Sequence, residues 1–131
     1  MNHIRTLVVD DEPAARARIM RMLEKDQDVR VVGECRNGQE AIDVLAKEPV
    51  DLVFMDVQMP HANGFEVLNT VRKDQRPFVV FVTAHDRYAL KAFDVNAVDY
   101  LLKPYDEDRF FSSLAKAKEF MELRDTRHLA G

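Results

Sequence analysis

Asp10-Asp11 follow the apolar run Leu7-Val8-Val9, and Asp56 follows Leu52-Val53-Phe54-Met55. Four large apolar residues in a row are too few for a free-standing helix and show no polar alternation, so residues 52–55 read as a short strand buried on both faces. Asp56 ends that strand. In open α/β sheets, ligands bind outside the carboxyl ends of the strands, so a carboxylate there stands where chemistry is done. An aspartate so placed could attack phosphorus and carry the product as an acyl phosphate. Taken alone, Asp56 is better explained by a turn, because Asp side chains readily accept a hydrogen bond from their own backbone. The other strand ends favour chemistry: Thr83 follows the apolar run at residues 78–82, and Lys103 follows Tyr100-Leu101-Leu102.

In a doubly wound parallel sheet that sets the first strand beside the third, Asp10, Asp11 and Asp56 converge. Three crowded carboxylates repel one another and need compensation. A hard divalent cation with oxygen ligands supplies it, and Mg²⁺ fits this inventory better than zinc or copper, since no His and Cys cluster offers a softer site. A fixed ammonium such as Lys103 and a hydroxyl such as Thr83 would contact the oxygens of a transferred phosphoryl group.

The elements that must position these residues alternate regularly. Ile4 to Val9 reads as a strand, and Pro13 suits the first turn of the helix after it. On that helix Ala15, Ile19, Met22 and Leu23 share one face, which assigns Arg16, Arg18 and Arg21 to the solvated side. Val29 to Cys35 is a second strand, closed by an Asn37-Gly38 turn. Ala41, Ile42, Leu45 and Ala46 form the stripe of the next helix, and a third helix after Asn63-Gly64 carries Val67, Leu68 and Val71. Ala89, Ala92 and Phe93 mark a short fourth helix. Asp106 is the expected N-cap of a fifth, where Phe110, Leu114, Ala117 and Met121 recur at helical spacing. Five short apolar strands alternating with five helices predict an α/β fold with a parallel sheet covered on both faces.

The 131 residues fit one domain, able to bury a core without disulfides. Nineteen basic and 23 acidic side chains leave a net charge of −4, which argues against nucleic acid as the main partner of this domain. Cys35 is the single cysteine, no membrane span or signal peptide fits, and a cytoplasmic location is expected.

The set Asp10-Asp11, Asp56 with Met59-Pro60 and Gly64, Thr83-Ala84, and Lys103-Pro104 resembles the receiver domain of two-component response regulators, over about residues 3–123. The segment Ala92-Phe93-Asp94-Val95-Asn96-Ala97-Val98-Asp99-Tyr100-Leu101-Leu102-Lys103-Pro104 is similar to receivers of the LytR/AlgR type, which usually carry a LytTR DNA-binding domain. The resemblance implies a flavodoxin-like, doubly wound (βα)5 three-layer sandwich with strand order 2-1-3-4-5. It implies a receiver at residues 1–123, with residues 124–131 as a tail or the start of a linker to an output domain.

It also implies roles residue by residue. Asp56 would be the phosphoacceptor, taking its phosphoryl group from a phosphohistidine of a sensor histidine kinase. Asp11, Asp56 and the backbone carbonyl of Gln58 would bind Mg²⁺ directly, with Asp10 acting mainly through a metal-bound water. Thr83, Ala84 and Lys103 would surround the phosphoryl group, and the Lys103-Pro104 bond would be cis. Thr83 and Tyr100 would form the switch, remodelling the face made by the fourth helix, fifth strand and fifth helix for homodimerisation. Gln58 and His85 would flank the path of hydrolytic water and tune dephosphorylation. Such a chain is a phosphoacceptor regulatory domain rather than an enzyme, meeting DNA only through an output domain and having no membrane partner. Two rivals stand beside it. A haloacid-dehalogenase-type aspartyl phosphatase needs a second acid where this chain has Gln58, and a nucleotide-binding module needs a phosphate-cradling glycine loop that is absent.

Overall fold

The computed structural model describes residues 3–130. Its elements are β1 (Ile4–Val9), α1 (Pro13–Leu23), β2 (Val29–Cys35), α2 (Gly38–Lys47), β3 (Leu52–Met55), α3 (Gly64–Asn69), β4 (Phe78–Thr83), α4 (Ala89–Asp94), β5 (Asp99–Leu102) and α5 (Glu107–Ala130). The five strands form one parallel sheet in the order β2-β1-β3-β4-β5. Alternation along each strand sends successive side chains to opposite faces. Leu52 and Phe54 pack with Ile19, Met22 and Leu23 of α1 and with Phe110, Leu114 and Ala117 of α5. Val53 and Met55 pack instead with Ala41 of α2, Phe65, Val67 and Leu68 of α3, and Ala92 of α4. The result is the expected flavodoxin-like three-layer sandwich.

Register sets the strand ends side by side. Val9 pairs with Met55, Met55 with Phe81, and Thr83 with Leu102, so the residues that follow β1, β3 and β5 emerge on one edge with the end of β4. The amide of Asp56 continues the ladder onto the Val9 carbonyl at 3.1 Å, and that of Lys103 onto the Thr83 carbonyl at 2.8 Å. Both Asn-Gly pairs open helices. The Asn37 side chain accepts from the Glu40 amide at 2.9 Å to cap α2, and Asn63 forms a reciprocal capping box with Glu66 on α3. Gly38 is required by proximity: a Cβ there would lie 2.3 Å from the Ala62 carbonyl oxygen.

Several sequence expectations are corrected. Arg16 is 8% exposed and does not belong to the solvated face of α1, because β2 and the end of β1 supply it with polar partners. Phe93 is 81% exposed and Ala89 is exposed, so only Ala92 of the expected α4 stripe is buried. Two turns of helix cannot bury three positions against a sheet they meet at one point. Ala46 is exposed, and Val71 lies past the end of α3. α5 runs through Ala130, beyond the point where its apolar spacing stops.

Candidate functional site

At the carboxyl edge of the sheet, Asp10, Asp11, Glu12 and Asp56 each offer an oxygen within 4.8 Å of the others. Asp10 and Asp56 are 1% and 7% exposed, while Asp11 and Glu12 face solvent. Lys103 reaches across from the end of β5. Its Nζ donates to Asp10 Oδ2 at 2.8 Å, to Asp56 Oδ2 at 3.2 Å and to Glu12 Oε1 at 3.2 Å. The other oxygens of the two buried acids fix the loops: Asp56 Oδ1 accepts from the Gln58 amide at 3.2 Å, and Asp10 Oδ1 from the Glu12 amide at 2.9 Å. Asp56 therefore makes the backbone turn bond expected of an aspartate and presents its second oxygen to the site.

The electrostatics follow from this crowding. Burial pushes the Asp10 carboxyl above the ordinary aspartate range, the Lys103 hydrogen bond only partly offsets it, and the neighbouring Asp56 adds to the rise. Burial works against the charge on Lys103, yet Asp10 and Asp56 raise its pKa above that of a free lysine. One ammonium thus serves three carboxylates, and Asp11 stands beside them without a bond to it. An all-oxygen cluster of this kind fits a hard divalent ion, and the buried, raised Asp10 is the group that such an ion would most relieve.

The remaining expected residues line the rim. Thr83 is fully buried at the end of β4, its Oγ1 accepting from the His85 amide at 3.4 Å, and Ala84 beside it is exposed. Tyr100 is half-buried, and its hydroxyl donates to the His85 carbonyl. Gln58 shares a surface trough with Asp11, and its Nε2 donates to the Tyr88 hydroxyl at 2.7 Å. The His85 ring sits edge-on to Tyr88, centroids 6.3 Å apart. The Lys103-Pro104 peptide is cis. Behind the site, the Cys35 carbonyl accepts from the Asp10 amide at 3.1 Å, and burial pushes the Cys35 thiol up to about 11.

Sequence reasoning missed three participants. Glu12 could have been found, since it continues the acidic run after β1. Arg16 and Tyr88 carried no local signal, because the side chains they meet, Glu34 and Gln58, lie 18 and 30 residues away.

A family model described as the response regulator receiver domain matches residues 6–115. This chain belongs to that family. The receiver is 43% identical over 122 residues to the transcriptional regulatory protein BtsR of Escherichia coli (strain K12), covering 93% of this chain and 51% of BtsR. It is 44% identical over 117 residues to the sensory transduction protein LytT of Bacillus anthracis, covering 88% of this chain and 48% of LytT. The chain spans about half the length of these curated relatives. The response regulatory domain of protein mrkE from Klebsiella pneumoniae has a similar structure, with a TM-score of 0.84 at 29% identity, covering 91% of this chain and 98% of that one. The receiver is of the LytR/AlgR type expected from residues 92–104. The phosphatase alternative is set aside, since these relatives are response regulators and Gln58 cannot serve as the second acid.

Proposed function

We propose that this receiver accepts a phosphoryl group on Asp56 from a phosphohistidine of a sensor histidine kinase, in a Mg²⁺-dependent transfer. An Asp56 carboxylate oxygen attacks phosphorus, the P–N bond to the imidazole breaks, and the imidazole nitrogen keeps the electron pair and takes up a proton. Asp10, Asp11, Asp56 and the Gln58 carbonyl would hold the ion, with Glu12 near enough to join them. When bound, Mg²⁺ supplies positive charge against the oxygens of the transferring group.

The chain's own residues do the rest. Lys103 already touches Asp56 and is fixed by Asp10, so its ammonium is aimed at whatever Asp56 comes to carry. Thr83 offers a hydroxyl at the neighbouring strand end, and Ala84 keeps the approach open by having no further atoms. A phosphoryl group that draws Thr83 inward would give Tyr100 a new packing position and remodel the face of α4, β5 and α5. Leu90, Phe93 and Leu102 on that face are 82%, 81% and 45% exposed, which supports homodimerisation there on phosphorylation. Gln58 and His85 flank the site and would set how fast water removes the group. A regulatory phosphoacceptor of this kind works in the cytoplasm without turning over a separate substrate. DNA contact would belong to an output domain, in keeping with the name of BtsR as a transcriptional regulatory protein.

The observation that carries this reading is Asp56 itself, a 7% exposed carboxylate with one oxygen on Lys103 and three further acids around it. Incubation with acetyl phosphate and Mg²⁺, followed by intact-mass measurement, tests it. Wild type is expected to gain one phosphoryl group and Asp56→Asn none; equal labelling of both, or of neither, would remove the assignment.

A further inference from the structure

We propose that Arg16 is a positioning residue for the divalent-cation site, holding the Asp10-Asp11 turn through the Asp10 backbone carbonyl. The inference rests on the Mg²⁺ reading of the acidic cluster given above.

The Arg16 side chain is 10% exposed and is committed at two points. Its Nη1 donates to the Asp10 carbonyl at 2.8 Å and its Nε to Glu34 Oε1 at 2.7 Å. A guanidinium is a rigid fork that can meet two acceptors at fixed divergence, which a lysine ammonium on a flexible stem does not reproduce. Desolvating a cation is costly unless its partners are well placed, so this one is spent on a particular geometry.

What it fixes is the backbone that carries the acids. The Asp10 amide is tied to the Cys35 carbonyl at 3.1 Å, the Asp10 carbonyl to Arg16, and the Glu12 amide to Asp10 Oδ1 at 2.9 Å. The Glu12 carbonyl in turn accepts from the Arg16 amide at 3.2 Å. Asp11 stands between two pinned peptides, and its aim is set by them. Groups that orient metal ligands from behind typically matter 10–100-fold in affinity.

The sign of the effect separates this role from bulk electrostatics. A buried positive charge held at the Asp10 carbonyl opposes the entry of Mg²⁺, so deleting it on charge grounds alone tightens binding. If Arg16 works by holding the turn, deleting it weakens binding.

Mg²⁺ titrations of the full chain, followed by backbone-amide NMR at a temperature where every variant is folded, decide between these. Arg16→Met is expected to weaken Mg²⁺ binding by roughly tenfold, and Arg16→Lys, which keeps the charge, to weaken it as well. Glu34→Gln keeps the bond to the Asp10 carbonyl and is expected to hold affinity within about twofold while lowering the melting temperature. Unchanged or tighter Mg²⁺ binding in Arg16→Met overturns the proposal. Should that variant not fold, wild-type affinity in Arg16→Lys overturns it equally. Wild-type protein that binds no Mg²⁺ would sink both this inference and the reading beneath it, whereas normal wild-type binding with indifferent Arg16 variants sinks this one alone.

Discussion

Lys103 and Asp99 show how single side chains set the balance of charge in this receiver. Lys103 holds three carboxylates with one ammonium, so it occupies electrostatically the place a divalent ion would take. Lys103→Met is expected to tighten Mg²⁺ binding by roughly tenfold, the scale of a screened unit charge a few ångströms away, while slowing phosphorylation of Asp56. Calorimetric Mg²⁺ titration together with acetyl-phosphate labelling checks both halves. Asp99 is a second case. Burial disfavours its charge, but bonds from Arg109, Ser113 and the Tyr100 amide outweigh burial and hold the carboxyl down at about 2. Its folded pKa lies below the ordinary value, so its stabilisation is complete above the unfolded pKa and fades as pH falls from 3.8 toward about 2. Asp99→Asn is expected to cost about 1–2 kcal/mol at neutral pH, discounted for the half-exposed Arg109. In urea melts at descending pH the gap from wild type should close across that window; a constant gap would refute the assignment. At this scale the acids, Thr83 and Lys103 were legible because each ends an apolar run. Arg16 was not, because a helical wheel sees only its own helix and the partners of Arg16 come from β1 and β2.

Elements were legible wherever one local rule decided them. A strand apolar on both faces, as β3 is, reads as a buried parallel strand, and β1, β2 and β3 begin and end where the sequence placed them. The Asn-Gly pairs were legible as breaks but not as caps, since the same residue types serve turns and helix starts. α4 was misread for a physical reason: two turns meet the sheet through Ala92 alone, so periodicity promised more burial than the contact allows. Close approach of elements was invisible altogether. Gly38 lets the start of α2 touch the loop between β3 and α3 at Ala62, and no sequence rule announces that meeting. Gly38→Ala would drive a Cβ to 2.3 Å from a backbone oxygen, so the two segments must separate. The expected loss is about 1–3 kcal/mol in denaturant unfolding, with Gln39→Ala as a neighbouring exposed control that should change little.

For the whole molecule, the layers and strand order place chemistry at one edge of the sheet and the exposed apolar residues of α4 and β5 beside it. Phe93→Asp is expected to leave phosphorylation of Asp56 unchanged and to abolish phosphorylation-dependent dimers, as measured by light scattering on a sizing column. Dimers that persist at wild-type levels would move the interface off this face. Fold-level order was legible because alternating short apolar strands and helices admit few packings; contact between distant segments was not, because it is created only once the layers close. Cys35 lies 1% exposed in the second of the two cores, at the end of β2, with its thiol held well above neutral pH. As the chain's single sulfhydryl, it makes the protein its own stopwatch. An alkylating reagent can reach it only during transient opening of the outer strand, so the speed of its modification would report how often that strand lets go and how far an added cation quiets it.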